Sequence, residues 1–177
     1  MGLNLAGDPE YLLSEYTWYV LKQSNRKEFD ALWTSAASEF QGFAYGLKFY
    51  FPCSYFKDPR IGKNYYALIK SGNDSGGNPY LYNLADFRAF EPGGSSEPHK
   101  LGEIWGGAFW EVRNTISPDK ADQIMLETWK SLHPPVKSAP GLARTFVEEI
   151  VKVSKIVVPD SDPQIIRQAF TKRKLEK

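Results

Sequence analysis

The stretch EPHKLGEIWGGAFWEVR, residues 97–113, carries the clearest secondary-structure signal in the sequence. Its apolar residues recur every three or four positions, which predicts an amphipathic helix. The residues of this stripe are Leu101, Ile104, Trp105, Ala108, Phe109, Val112 and Ile116. Gly106 and Gly107 lie inside the stripe, although each glycine costs about 1 kcal/mol relative to alanine in a helix interior. Two adjacent glycines therefore predict that another backbone packs closely against this helix.

Around this helix, the sequence predicts a mainly α-helical fold of five to six helices. An Asp-Pro or Ser-Pro pair is typical of a helix start, because the first side chain caps free N–H groups and proline fits the first turn. Such pairs predict helices over residues 9–23, 118–132 and 163–175. Apolar residues at helical spacing predict two more helices, over residues 26–50 and 141–157.

Four further predictions concern the first helix, a helix end, an irregular segment and the chain end. Apolar residues at helical spacing support the first helix; they are Leu12, Leu13, Tyr16, Tyr19 and Val20. In the second helix, Pro52 is expected to end the helix, because it lacks an N–H and clashes with the preceding turn. Residues 53–98 are rich in Gly, Pro, Asn and Ser, which predicts a long irregular segment with YYALI (65–69) as a candidate strand. The basic end TKRKLEK (171–177) predicts a solvated tail.

Composition limits the class of protein. With 177 residues and 42% hydrophobic content, the chain is predicted to form one globular domain over residues 1–177. Its 22 basic and 21 acidic residues leave a net charge of +1, which gives no electrostatic reason to expect binding to nucleic acid or a membrane surface. We recognise neither a membrane-spanning apolar run nor a signal peptide. The single cysteine, Cys53, cannot form an intrachain disulfide.

The segment DPEYLLSEYTWYVL, residues 8–21, has Ser-Glu-x-x-Trp where a zinc peptidase helix has His-Glu-x-x-His. That spacing puts two metal-binding side chains on one helix face, and the glutamate polarises a metal-bound water. Here Glu15 is retained, but Ser14 and Trp18 occupy the histidine positions. Serine is a poor neutral zinc ligand, and the tryptophan N–H offers no lone pair to a metal.

Further segments follow in the order of a known family. QGFAY (41–45) resembles Glu-Gly-x-Ala-Asp, the third-ligand helix of thermolysin-like and fungalysin-like (gluzincin) metallopeptidases. Later segments that resemble the family are DPRIG (58–62), EPHKLGEIWGGAFWEVR (97–113), KADQIMLETWKSL (120–132) and DPQIIRQAF (162–170). The resemblance covers nearly the whole chain. It implies a fold like the helical C-terminal half of such a catalytic domain.

The resemblance also implies a degenerate zinc site. The former metal-ligand positions are Ser14, Trp18 and Gln41. Tyr45 occupies the position of the aspartate that orients a ligand histidine, and His99 matches the histidine that stabilises the tetrahedral intermediate in the family. Glu15 and His99 are then relics of the catalytic machinery, and we expect neither bound zinc nor another cofactor. Without a metal, Glu15 is expected to be solvated or hydrogen-bonded to Ser14, Tyr45 or His99.

These features support three hypotheses of function. The first is a catalytically inactive pseudopeptidase domain that binds a peptide or a partner protein in the old substrate cleft, with Glu15, His99 and Arg113 as candidate cleft residues. The second is a hydrolase that uses Glu15 and His99 without the usual zinc. The third is the C-terminal fragment of a longer metallopeptidase-like protein, from a family that is mostly secreted.

Two other chemistries are disfavoured by the sequence. Cys53 follows Pro52 at the expected helix end and has no identifiable base, so a thiol nucleophile paired with His99 is not expected. His133 lies in a proline-rich loop and is expected at the surface. No metal-ligand spacing links it to His99.

Overall fold

The computed structural model describes residues 7–25, 29–30, 38–63, 80–91, 97–132, 141–160 and 162–176. In these residues the chain forms six helices and one two-stranded antiparallel sheet, which confirms the mainly α-helical prediction. The helices are α1 (Pro9–Ser24), α2 (Ser38–Phe56), α3 (Pro98–Thr115), α4 (Pro118–Ser131), α5 (Leu142–Val157) and α6 (Pro163–Thr171). The strands are β1 (Arg60–Ile61) and β2 (Tyr82–Asn83). Within the described ranges, none of the helices is both long and apolar enough to cross a membrane.

The predicted helix starts at the Asp-Pro and Ser-Pro pairs are confirmed. The Asp8 carboxylate accepts a hydrogen bond from the N–H of Tyr11 at 2.9 Å, and the Asp162 carboxylate accepts one from the N–H of Gln164 at 2.9 Å. Ser117 caps α4 in the same way. These side chains satisfy N–H groups that the first turn of a helix leaves without a partner.

The second predicted helix differs from the observed one at its C-terminal end. α2 continues through Pro52 to Phe56, so the expected stop at Pro52 is wrong, and the last turn belongs to the helix and not to the irregular segment. Tertiary contacts hold this turn in place. The Ser54 hydroxyl donates to the Asp122 carboxylate at 2.8 Å, and the Arg113 guanidinium donates to the Ser54 hydroxyl at 3.0 Å. These bonds offset the helix hydrogen bond that proline removes.

The rest of the predicted irregular segment includes the small sheet. Beside the paired strands, the N–H of Leu81 donates to the carbonyl of Ile61 and the N–H of Leu84 donates to that of Pro59, both at 2.8 Å. Outside the described residues lie the candidate strand YYALI (65–69) and, from the predicted second helix, residues 26–28 and 31–37.

α1 buries a face that carries two small polar residues. Its buried residues are Ser14, Thr17 and Leu21. Its exposed large apolar residues are Leu12, Tyr16, Tyr19 and Val20. Four of the five apolar residues whose spacing supported this helix are therefore exposed, and Tyr16 and Tyr19 reach 63% and 59% exposure. Ser14 tolerates burial because its hydroxyl donates to the carbonyl of Tyr11 at 2.7 Å, so the polar group keeps a hydrogen-bond partner.

Substitutions on the two faces of α1 test this assignment. We expect Tyr16→Ser and Tyr19→Ser to change the free energy of unfolding by less than about 0.5 kcal/mol each, because both side chains are exposed. Leu21→Ala, on the buried face, is expected to lower it by about 2–5 kcal/mol. Urea denaturation followed by circular dichroism measures all three variants. Tyrosine variants as destabilised as Leu21→Ala would show that the outer face is buried in solution.

Glycines from both helices make the contact between α2 and α3. A Cβ atom added to Gly46 would lie 2.5 Å from the Cβ of Trp105 and 3.1 Å from the backbone nitrogen of Gly106. A Cβ added to Gly102 would lie 2.6 Å from the Cβ of Tyr45. These distances are shorter than van der Waals contact, so larger residues would push the helices apart. The close backbone approach predicted at Gly106 is therefore confirmed, and α2 supplies the approaching backbone.

Aromatic side chains fill the core around this contact. The Phe43 ring packs on the rings of Trp105 and Phe146, with centroids 5.1 Å and 4.7 Å away. The buried Trp129 of α4 stacks on Phe43 and donates its indole N–H to the carbonyl of Leu21 at 3.1 Å. This hydrogen bond joins α4 to the end of α1 and satisfies the one polar atom of a buried indole.

The C-terminal residues belong to the fold, so the prediction of a solvated tail is wrong. Arg173 is buried, and its guanidinium donates to the carbonyls of Arg88 and Gly107, both at 3.1 Å. The carbonyl of Arg173 accepts a hydrogen bond from the N–H of Phe90 at 2.9 Å. Residues 86–91, here called the strap, are thereby held against α3 by the chain end.

Candidate functional site

Three of the segments that carry the family resemblance meet in one place. The indole ring of Trp18 on α1 stacks on the phenol ring of Tyr45 on α2, with centroids 4.8 Å apart and ring planes 19° apart. The Tyr45 ring also contacts the imidazole of His99 on α3, with centroids 4.2 Å apart. Residues from three separate parts of the sequence therefore converge at the contact between these helices.

Ser14 and Gln41, which the resemblance matches to the other two zinc ligands, lie on the same helices, one turn away. Ser14 precedes Trp18 by one turn of α1, and its hydroxyl proton is committed to the carbonyl of Tyr11. Gln41 precedes Tyr45 by one turn of α2 and is partly buried. Because residues four apart share a helix face, each pair presents its side chains on one side of its helix.

Aromatic packing defines the surroundings of Trp18. Its ring meets Phe29 edge-on, with centroids 5.2 Å apart, in addition to stacking on Tyr45. Burial raises the pKa of the Tyr45 phenol, and the nearby carboxylates of Glu15 and Glu97 raise it further. Tyr45 therefore stays a neutral phenol at physiological pH, and the stack presents apolar surface with no anionic ligand atom.

Lys48 of α2 is a site residue that our sequence-based prediction missed. Its ammonium lies 2.7 Å from Oε1 of Glu15 and 5.6 Å from the ring centroids of both Trp18 and Tyr45. The Lys48 side chain is only 11% exposed, whereas that of Glu15 is 45% exposed. Glu15 is therefore half-exposed to solvent, as one of the two expectations stated. Its hydrogen-bond partner is Lys48 and not Ser14, Tyr45 or His99, which were the partners proposed from the sequence.

A signal for Lys48 was present in the sequence. In residues 40–56 it is the one charged side chain of an otherwise apolar and aromatic stretch. It also lies three residues after Tyr45 and seven after Gln41, which places it on the same helix face. A lysine at such a position needs a buried anionic or aromatic partner, because an unpaired ammonium is costly to bury.

Glu97 positions the imidazole of His99. Its Oε1 lies 2.6 Å from Nδ1 of His99 and also accepts the backbone N–H of His99 at 2.9 Å. Its Oε2 accepts the N–H of Lys100 at 3.0 Å, so Glu97 is also the N-cap of α3. The carboxylate therefore fixes the imidazole through Nδ1 and leaves Nε2 as the other ring nitrogen available for contacts.

A cleft of about 330 Å³ opens beside this cluster. Helices α1, α2 and α3 form part of its wall, and β1, Leu81 and β2 form another part. The lining residues are Tyr11, Ser14, Glu15, Lys48, Phe49, Ile61, Leu81, Tyr82 and His99. Of the predicted candidates, Glu15 and His99 line the cleft together with Ser14. The stacked rings of Trp18 and Tyr45 lie beside the Lys48 ammonium and are not among the lining residues.

Arg113, the third predicted cleft residue, lies outside the cleft. It is buried near the end of α3, where its guanidinium donates to the hydroxyl of Ser54 at 3.0 Å and to the carbonyl of Ser54 at 3.2 Å. The same group lies 4.7 Å from the ring centroid of Trp110. Arg113 does not line the cleft, and its contacts support the last turn of α2 instead.

The cysteine and metal alternatives gain no support from this geometry. Cys53 is buried, and burial raises the pKa of its thiol well above the usual value, so it is a poor nucleophile. Across the part of the chain that the structure describes, no three His, Cys, Asp or Glu side chains are grouped to hold a metal ion. His133 lies outside that part.

The chain was also compared with known proteins. None of the family models, curated proteins or solved structures matches it.

Proposed function

We propose that the chain is a catalytically inactive, metallopeptidase-like domain whose cleft binds a peptide or protein partner without cleaving it. The supporting observation is the arrangement of Trp18, Tyr45 and Lys48. The two rings stack at 4.8 Å, and the Lys48 ammonium lies 5.6 Å from the centroid of each ring, beside Trp18, which the resemblance matches to a zinc ligand. An ammonium on aromatic surface thus lies next to a position where a zinc site would need a lone pair.

The charges around the cluster favour this proposal over a zinc enzyme. Zinc sites in proteins use thiolate, imidazole or carboxylate lone pairs, whereas Trp18 offers none and the Ser14 hydroxyl is bonded to its own helix. The Lys48 ammonium neutralises Glu15, so the glutamate needs no metal to balance its charge. The same ammonium would repel a divalent cation placed beside it.

The alternative hypothesis, a zinc-free hydrolase, receives less support. A general base must be free to approach the proton that it removes. Here Glu15 is bonded to Lys48, and His99 is bonded through Nδ1 to Glu97. Neither contact joins Glu15 to His99, so the two relic residues have separate partners in place of a shared acid–base bond.

Restoring the ligands tests the placement of the former zinc site. The triple variant Ser14→His, Trp18→His and Gln41→Glu is expected to bind one zinc ion per chain. A matched control is Leu12→His with Tyr16→His, which builds the same i, i+4 pair on the exposed face of α1. Isothermal titration with zinc should give an affinity at least about tenfold higher for the triple variant, because only that variant gains a third ligand.

One further variant and the unaltered protein extend this experiment. Adding Lys48→Met to the triple variant is expected to raise zinc affinity again, because it removes a cation beside the site. The unaltered protein is expected to bind no zinc at the cleft and to release no product from peptide substrates. Equal affinities for the triple variant and the outer-face control would show that the former ligand positions are assigned wrongly. Stoichiometric zinc in the unaltered protein would overturn the pseudopeptidase proposal itself.

A further inference from the structure

The ion pair between Lys48 and Glu15 has unused hydrogen-bonding capacity. An ammonium can donate three hydrogen bonds, and a carboxylate can accept about four. Among the described residues, the 2.7 Å bond between Lys48 and Glu15 is the one hydrogen bond that either side chain makes. Both residues line the cleft. One positive and one negative group therefore stand side by side at a site that a ligand can enter.

Apolar surface lies next to this pair of charges. Phe49 and Tyr82 line the cleft and stack on one another, with ring centroids 4.3 Å apart. Ile61 and Leu81 line it as well. The volume of about 330 Å³ is near the lower end of the range for small-molecule sites, which is roughly 300–1,000 Å³. The cleft thus suits a small ligand that has a charged end and an apolar end.

Building only on the non-cleaving part of the proposed function, we infer that the cleft binds a free α-amino acid with an apolar side chain in place of a peptide. The carboxylate of the ligand accepts from Lys48 and its ammonium donates to Glu15, so four charges alternate in sign around a ring. The apolar side chain of the ligand packs on Phe49 and Tyr82. The ligand does not have to break the existing ion pair, because each group has hydrogen-bonding capacity beyond that one bond.

Charge selection distinguishes this ligand class from others. A purely anionic ligand that reaches Lys48 also meets Glu15, and a purely cationic ligand that reaches Glu15 also meets Lys48, so each is repelled by one group. A peptide carries its terminal ammonium and carboxylate on different residues, so it satisfies only one of the two protein charges. A free amino acid carries both charges on one carbon and satisfies both.

Titration calorimetry with the intact chain tests the inference. The probes are L-leucine and L-phenylalanine, and the matched controls are N-acetyl-L-leucine, which lacks the ammonium, and L-leucinamide, which lacks the carboxylate. L-leucine is expected to bind at least about tenfold more tightly than either derivative, because each derivative loses one charge-assisted hydrogen bond. Equal binding of L-leucine and either derivative would overturn the inference, as would no saturable binding of either free amino acid at millimolar concentrations.

Variants locate the binding site. Glu15→Gln keeps the shape of the side chain at a half-exposed position, and Lys48→Met removes the cation; each is expected to weaken L-leucine binding at least about tenfold. The control is Lys22→Met, which removes an exposed lysine of α1 and is expected to leave binding unchanged. Thermal unfolding of each variant verifies that it is folded. Unchanged binding in folded Glu15→Gln would place the ligand outside the cleft.

The outcomes for this inference and for the proposed function are separable. Binding of an extended peptide at the cleft, without binding of free amino acids, overturns the amino-acid inference and leaves the inactive peptide-binding domain standing. Binding of L-leucine that depends on Lys48 and Glu15, together with no zinc gain in the ligand-restored variant, supports the inference and overturns the pseudopeptidase origin of the site.

Discussion

Gly46→Ala is expected to lower the free energy of unfolding by about 2–3 kcal/mol. The added methyl group would lie 2.5 Å from the Cβ of Trp105 and 3.0 Å from the ring of Phe109. Both neighbours are buried in the core, so neither can swing away without opening a gap elsewhere. Relief then requires α2 and α3 to separate, which weakens the packing along their whole contact. Urea denaturation with a linear extrapolation measures the loss.

The sign of this effect is its most informative part. Glycine to alanine in a helix interior ordinarily stabilises a helix by about 1 kcal/mol. A loss at Gly46 therefore reports the close helix approach and not helix propensity. Gly7→Ala is the control, because a Cβ at Gly7 has no neighbour within 4 Å and should be nearly neutral. If Gly46→Ala were as stable as the unaltered protein, α2 and α3 would have to lie farther apart than described.

Arg173→Met is expected to lower the free energy of unfolding by about 3 kcal/mol. The substitution retains apolar length but removes the donors that hold the carbonyls of Arg88 and Gly107, each at 3.1 Å. Each acceptor then loses a hydrogen bond from a charged donor, which is worth about 1.5–3 kcal/mol. The strap also loses one of its contacts with α3 and keeps the ion pair between Arg88 and Glu103. Chemical denaturation measures the change, and hydrogen exchange at the N–H of Phe90 should quicken because its acceptor loosens.

The neighbouring lysine supplies a matched control. Lys172 and Arg173 are adjacent cations that both contact the carboxylate of Glu111, at 2.8 Å and 3.4 Å. Lys172 is exposed and Arg173 is buried. Lys172→Met is therefore expected to cost less than about 1 kcal/mol, as for other surface ion pairs. Similar losses for Lys172→Met and Arg173→Met would mean that both act only through Glu111, contrary to the role of Arg173 in holding the strap.

The parts of the fold that depend on local signals could be predicted from the sequence. Helix starts at Pro9, Pro118 and Pro163 follow from capping chemistry within four residues, and the structure has them there. The close approach at Gly106 was predicted because paired glycines inside a helix need a compensating contact. In each case the deciding interaction lies near the residues that carry the signal.

The predictions that failed depend on distant partners. The TKRKLEK end was expected to be solvated, but Arg173 is buried and donates to the carbonyls of Arg88 and Gly107. Pro52 did not end α2, because Ser54 is held by residues of α3 and α4. Each of these outcomes is decided by contacts with other segments, and a pattern read within one segment carries no information about them.

The candidate site was also predicted only in part. The resemblance implied that Ser14, Trp18, Gln41 and Tyr45 lie close together, and the Trp18–Tyr45 stack brings two of these residues together. The hydrogen-bond partner of Glu15 could not be derived, because it depends on how α1 packs on α2. The available clue to Lys48 was that it is the one charged residue between residues 40 and 56.

The dependence of the strap on the chain end has a consequence during synthesis. Arg88 and its partner Arg173 are 85 residues apart. At about 5–20 residues per second, a ribosome needs roughly 4–17 s to make the residues between them. During that interval the strap and the facing side of α3 lack the guanidinium that later joins them. The nascent chain therefore exposes this surface for seconds, during which chaperones can bind it. Slower translation of the last residues lengthens this exposure and therefore favours aggregation.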